Sequence, residues 1–278
     1  MARIQRALIS VFDKTGLIPF ARTLVAAKIE LLSTGGTGRV LREAGLPLVD
    51  LSDYTGFPEM LDGRLKTLHP KVHGGLLFLR GNPKHEAAVK QHGIGPIDMV
   101  VVNLYPFEQT VSKPNVPLAR AIENTDIGGP SLLRSAAKNH QYVSVVMDPD
   151  DYGEVAAQIK AKGNTTPAFR RKLAARVFAR TSAYDAAIAT HLIKVFGAAT
   201  PAPAGPVQVS LPLGKTAAAL PTMLILEVPL AQPLRYGENP HQRAALYGRF
   251  AHYFQQLHGK ELSFNNILDL TAAAIAAS

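Results

Sequence analysis

Apolar runs separated by helix-forming sequence recur through the first 150 residues, and this alternation limits the fold more than any other feature of the chain. Ala7–Val11, Ile29–Leu32, Leu46–Leu51, Ile97–Leu104 and Tyr142–Val146 read as strands, with Gly74–Phe78 as a further one. Strands that are apolar throughout are covered on both faces, and intervening helices make the sheet parallel. The expected fold is therefore α/β, a Rossmann-like parallel sheet with helices on both faces. Asp13 is the expected N-cap of a helix through Leu24. Further helices are expected up to Gly45, over Glu86–Gln91 and from Pro130, which suits a first helical turn.

From Asp150 to Phe196 the pattern is helical, with helices opening at Asp150-Asp151-Tyr152 and Thr166-Pro167. Gly197–Lys215 is rich in Ala, Pro and Gly and reads as a linker. The expected organisation is a first domain over 1–198, a linker over 199–222, and a partial second α/β domain over 223–278. That last part holds a strand at Met223–Val228 and a helix at Ile267–Ala277.

Lys plus Arg number 30 against 21 Asp plus Glu, a net charge of +9, which favours anionic partners. No long run of like charge occurs and aromatics are 7% of the chain, so a small anionic substrate is favoured over nucleic acid. The absence of cysteine excludes disulfides, thiolate catalysis and Cys-ligated zinc. No membrane span and no signal peptide are expected, and the expected location is cytoplasmic.

In parallel sheets ligands bind beyond the carboxyl ends of the strands, and Ser10, Ser33, Thr34, Asn103 and Tyr105 all fall at strand ends. The Ser33-Thr34-Gly35-Gly36-Thr37 loop follows a strand and precedes a helix. It reads as a phosphate cradle, because glycines admit close backbone approach and a helix start offers free N–H groups; the alternative is an ordinary helix start. Gly63–His73 holds Arg64, Lys66, Lys71 and two histidines, either lining a site or forming a solvated basic loop. His69 and His73 have metal-ligand spacing, but Pro70 lies between them and no carboxylate completes a set, so no metal is expected. In Thr125–Pro130, Gly128 and Gly129 bring backbone N–H groups to a ligand with Asp126 aimed at a polar atom, unless Asp126 is only a cap. Lys138 lies farther along the helix that follows and is expected to reach the edge of a site.

Ser10–Leu17, Ser33–Thr37, Gly63–Pro70, Asn103–Phe107, Asp126–Pro130 and Ala137–His140 occur in this order. Together they resemble the inosine monophosphate cyclohydrolase half of the bifunctional purine-synthesis enzymes. The other half of those enzymes is aminoimidazole carboxamide ribonucleotide formyltransferase. The resemblance covers nearly all of residues 1–198, and Leu234–Gln242 and Glu261–Asn266 resemble the start of the formyltransferase half. It implies a methylglyoxal-synthase-like fold and dehydrative closure of 5-formamidoimidazole-4-carboxamide ribonucleotide to inosine monophosphate, without metal or cofactor. It places Ser10, Lys14, Ser33, Thr34, Gly35, Gly36 and Thr37 around the 5′-phosphate. Arg64, Thr67, Asn103, Ile127 and Gly128 would position the base and carboxamide. The chemistry would fall to Lys66, Tyr105, Asp126 and Lys138. Arg235 and Tyr236 would bind substrate in the formyltransferase half, which uses 10-formyltetrahydrofolate.

In the family the catalytic Lys-His pair of that half lies beyond residue 278, and Lys84-His85 stands in the wrong context, so formyl transfer is expected only of a longer chain. The family forms homodimers, largely through the formyltransferase half, which leaves the oligomeric state of this chain open. Three competing readings make different predictions. A methylglyoxal-synthase-type phosphate lyase does not need the Lys66 and Asp126 segments. A nucleotide-sensing module binds without turnover. A nucleic-acid binder shows salt-sensitive affinity for DNA or RNA.

Overall fold

The computed structural model describes residues 3–114, 116–196, 230–248 and 250–277. The chain divides into two compact units, Met1–Ala198 and Ala199–Ser278. The expected linker over 199–222 and the expected strand Met223–Val228 lie outside the described residues.

In the first unit the elements run β1 (Arg6–Ser10), α1 (Leu17–Ala26), β2 (Glu30–Ser33), α2 (Gly35–Glu43), β3 (Val49–Asp50), α3 (Leu51–Thr55), α4 (Pro70–Leu77) and α5 (Pro83–Gln91). They continue through β4 (Met99–Val102), α6 (Phe107–Val111), α7 (Leu118–Glu123), α8 (Gly128–Lys138), β5 (Ser144–Val146), α9 (Tyr152–Lys162) and α10 (Pro167–Phe196). The five strands form one sheet in the order β3-β2-β1-β4-β5, and every pairing is parallel. All four residues of β4 are buried, so both faces of the sheet are covered, as its unbroken apolar run predicts. After β3 the chain crosses to the other side of β1, which opens a crevice beyond the ends of β1 and β4.

Several local expectations are corrected. Gly74–Phe78 is not a strand: Gly74–Leu77 lie in α4, which starts at Pro70 behind His69, whose Nδ1 accepts the Lys71 amide at 3.1 Å. Its glycines serve helix packing; a Cβ on Gly75 would stand 2.6 Å from the Gly95 carbonyl. Asp13 does not cap α1. Its carboxylate accepts the Thr15 amide at 2.8 Å, and the helix begins four residues later at Leu17. Leu46–Leu51 yields only the short β3, because Leu51 already opens α3. The Gly35–Gly38 segment is the first turn of α2 rather than a loop. The Thr166-Pro167 signal holds: the Thr166 hydroxyl accepts the Phe169 amide at 3.3 Å, and α10 runs thirty residues from Pro167.

In the second unit β6 (Leu230–Leu234) pairs antiparallel with β7 (Ala244–Tyr247), followed by α11 (Phe250–Tyr253) and α12 (Phe264–Ala277). The expected helix at Ile267–Ala277 starts earlier, at Phe264, behind Ser263, whose hydroxyl and amide both bond the Asn266 side chain. No helix among the described residues is long and apolar enough to cross a membrane.

Candidate functional site

A cavity of about 880 Å³ lies at the crevice that the strand order opens. It draws Ser10, Phe12 and Lys14 from the end of β1, Thr34, Gly36 and Thr37 from the start of α2, and Asn103 and Tyr105 from the end of β4. Arg64, Lys66 and Thr67 enter from the α3–α4 connection, and Asp126, Ile127 and Gly128 from the turn into α8.

The α2 side presents a helix start and a lysine. Thr34 stands at the N-cap in extended conformation, but its hydroxyl does not cap the helix; it donates to the Glu59 carboxylate at 3.3 Å. The first N–H groups of α2 have no intrahelical partner and carry the positive end of the helix dipole. A Cβ on Gly36 would meet nothing within 4 Å, so nothing in the fold demands glycine there. Lys14 Nζ is held beside this site by the carbonyls of Val11 at 2.7 Å and Phe12 at 3.2 Å, and burial lowers its pKa.

Two side chains expected to contact ligand also fasten the loops together. The Thr37 hydroxyl accepts the Val11 amide at 3.1 Å and donates to the Val11 carbonyl at 3.0 Å. Asn103 Oδ1 accepts the amides of Phe12 and Asp13, and its Nδ2 donates to the Asp13 carbonyl at 3.2 Å. Both line the cavity while holding its walls in register. Ser33 is corrected outright: it is fully buried, its hydroxyl donates to the Ile9 carbonyl at 2.8 Å, and it does not line the cavity. Gly35, with φ of 52°, bends the backbone into α2 but is likewise not a lining residue.

The α8 side brings the acid. Asp126 Oδ1 accepts the Gly129 amide at 2.8 Å. Burial raises the carboxyl pKa, against the opposing pull of the Gly129 and Tyr105 amides and the charge of Lys66. Gly128 lies so close to Thr67 that a Cβ there would stand 2.5 Å from the Thr67 hydroxyl, which ties the start of α8 to the Lys66 segment. The Lys66 ammonium lies 3.8 Å from the Cβ positions of both Gly35 and Gly63, so it spans the α2 start and the α3–α4 connection. Arg64 forms an exposed ion pair with Glu123, which lowers the Glu123 pKa. Tyr105 packs edge-on against Phe12 with centroids 5.5 Å apart.

Lys138 is corrected. It is the last residue of α8, whereas Gly128 at the other end meets the cavity; about 15 Å of helix separates them, and Lys138 is exposed. The histidines do not pair. His69 caps the start of α4, while His73 is half-buried with Nδ1 3.0 Å from the Ser135 hydroxyl, and burial lowers its pKa. Among the described residues no group of three or more His, Cys, Asp or Glu could hold a metal ion. Sequence reasoning missed Ile122, Leu192 and Phe196, which add an apolar wall from α7 and the end of α10. Nothing local marks them, because their role depends on where those helices end.

The connection bearing Arg64 and Lys66 is strained. Leu61 and Asp62 adopt left-handed φ of 55° and 52°, costly for residues with a Cβ. Leu61 is 65% exposed and has little packing to lose. Leu61→Asn is expected to stabilise the first unit by about 1 kcal/mol, read as a higher thermal midpoint; a lower midpoint refutes the strain argument.

In the second unit Arg235 lines a cavity of about 650 Å³ with Phe254, His258, Lys260 and Asn266. Tyr236 does not line it; its ring lies under the Arg235 guanidinium at 4.9 Å.

A family model described as AICARFT/IMPCHase bienzyme matches residues 136–278, and one described as MGS-like domain matches residues 16–131. The chain is 50% identical over 276 residues to the bifunctional purine biosynthesis protein PurH of Halalkalibacterium halodurans, a match covering 97% of this chain and 50% of that protein. It is 52% identical over 281 residues to PurH of Magnetococcus marinus, covering 98% and 50%. The PurH protein of Bacillus subtilis is 50% identical over 277 residues, with coverage of 97% and 50%. The chain thus spans about half the length of the curated relatives it matches. Among solved structures, the crystal structure of ForH superposes with a TM-score of 0.62 at 35% identity, over 69% of this chain and 97% of that one.

Proposed function

The chain belongs to the AICARFT/IMPCHase bienzyme family, and on that premise we propose that residues 1–198 form a cyclohydrolase domain that closes the second ring of a purine nucleotide. The substrate would be 5-formamidoimidazole-4-carboxamide ribonucleotide and the product inosine monophosphate. One observation carries this reading: the unpaired start of α2 with Lys14, and the Lys66, Tyr105 and Asp126 group, open into the same cavity. One ribonucleotide has both ends this requires, a phosphate and a reacting base.

In this reading the carboxamide nitrogen attacks the formyl carbon. The new N–C bond forms, the formyl oxygen takes up negative charge, and that oxygen leaves as water. Asp126 accepts the carboxamide proton, and its raised pKa makes it a stronger base than an ordinary carboxylate. Lys66 stabilises the developing oxyanion and protonates it. The proton taken up by Asp126 is the second that the oxygen needs. As the C–O bond breaks to release water, the former formamido nitrogen gives up its own proton, which restores Lys66. Gly128, at the start of α8, adds a backbone N–H. Tyr105 orients the formyl group. Both reacting groups sit on one substrate, so holding it in an attack-ready conformer supplies much of the acceleration. Lys138 is given no step.

Residues 223–278 would be the start of a formyltransferase domain, separated by a linker over 199–222. Among residues 230–277 no lysine is followed by histidine, the pair expected to carry formyl transfer. Lys84-His85 lies on α5, where His85 Nδ1 accepts the Leu79 amide at 3.0 Å. The partner in this reading is a small anionic nucleotide in the cytoplasm.

The test is ring closure by the purified chain without folate, followed by ultraviolet absorbance as the formylated ribonucleotide is consumed. Turnover to inosine monophosphate supports the reading. Tight nucleotide binding without turnover replaces it with a sensing module, and failure of both returns the site to a phosphate lyase.

A further inference from the structure

The turn that presents Asp126 is gripped by a residue the ring-closure reading does not use. Tyr184, on α10, is fully buried and does not line the cavity. Its hydroxyl accepts the Asp126 amide at 2.9 Å and donates to the Asn124 carbonyl at 3.3 Å. One phenol thus satisfies a donor and an acceptor of the same turn, leaving it a single position relative to α10. The ring is itself fixed. It packs edge-on against Phe107 at 6.2 Å, and the Arg180 guanidinium lies 5.5 Å over its face. Arg180 is held in turn by Glu108 at 2.7 Å. Burial raises the Tyr184 pKa, so the hydroxyl keeps the proton it donates.

We propose that Tyr184 is a positioning residue for ring closure, fixing the main chain at 124–126 so that the Asp126 carboxylate stands where the carboxamide proton is released. The inference rests on the reading of Asp126 as proton acceptor. Its physical basis is the steep dependence of rate on placement: a displacement near 1 Å costs on the order of 10²-fold.

Tyr184→Phe removes the hydroxyl and keeps the ring with its contacts to Phe107 and Arg180. In the 278-residue chain, kcat for ring closure is expected to fall about tenfold or more. KM and affinity for inosine monophosphate should stay within about twofold, because the phosphate-side groups, Lys14 and the start of α2, are untouched. Hydrogen exchange at the Asp126 amide should quicken. Glu108→Gln, which loosens the Arg180 stack but leaves the hydroxyl in place, should keep kcat near the unmodified value.

An unchanged kcat in Tyr184→Phe overturns the proposal. So does a fall in kcat matched by equal loss of nucleotide affinity, or one shared by Glu108→Gln, since either marks general packing. Asp126→Asn separates the two levels of argument. If it retains turnover, the reading of Asp126 as proton acceptor fails and this inference with it. If it is inactive while Tyr184→Phe is fully active, only the positioning role is lost.

Discussion

Asp126→Asn is expected to lower kcat for ring closure by about 10²-fold or more and, at the same time, to raise thermal stability. Both effects have one cause. Burial raises the carboxyl pKa, so the ionised form that accepts the proton is the form the fold holds least well. Asparagine keeps an oxygen to accept the Gly129 amide but has no charge to desolvate. A carboxyl whose folded pKa exceeds its unfolded value binds more protons when folded. Stability therefore falls as pH rises from the ordinary carboxylate range through the raised pKa. The gain in Asp126→Asn should be full above the raised pKa and vanish once both states are protonated in acid. Each 1 kcal/mol would appear as ~2–4 °C in the thermal midpoint of a domain this size. Lys66→Ala is the companion variant, expected to lose about 10²-fold in kcat as the oxyanion loses its charged partner. Steady-state rates with melting curves at neutral and acid pH check both. An Asp126→Asn protein less stable than the parent at pH 7 would contradict the account of the buried carboxylate.

Gly36→Ala is expected to separate folding from binding even more plainly. Apart from its chain neighbours and the adjacent backbone of its own helix, a methyl at Gly36 would meet nothing within 4 Å. Alanine also costs less unfolded-chain entropy on folding than glycine, so the fold should gain about 0.4–1 kcal/mol. The same methyl would stand in the cavity, in front of N–H groups at the start of α2 that nothing in the helix satisfies. Hydrogen bonds to a charged group contribute about 1.5–3 kcal/mol each. Displacing a phosphate from one of them should weaken nucleotide binding about 10- to 10²-fold. Calorimetric titration with inosine monophosphate beside thermal unfolding checks this. Undiminished affinity would remove the phosphate from α2.

The fold was legible to the extent that local sequence carries it. The unbroken apolar run of β4 marks a doubly covered parallel strand, and Thr166-Pro167 marks the start of α10. Where local cues conflicted, tertiary packing decided. Gly74–Phe78 has the composition of a buried strand, yet most of it lies in α4, where the close approach to Gly95 needs a residue without a side chain. The candidate site divides in the same way. Most positions just past strand ends line the cavity because the topology alone brings them to the crevice, Ser33 excepted. The partner of each polar side chain was not readable. Ser33 bonds a carbonyl of the neighbouring strand, and Asn103 bonds backbone ninety residues away.

By itself the sequence determined the parallel α/β architecture, the excess of basic residues and the segments that meet around the cavity, because burial pattern, charge and helix-start signals are properties of adjacent residues. Only the tertiary structure decided that Thr37 and Asn103 fasten loops, that Lys138 stands at the far end of α8, and that Tyr184 reaches from α10 to hold the Asp126 turn. These are choices among partners far apart in the chain, and they are settled by which helices pack side by side and where each one ends.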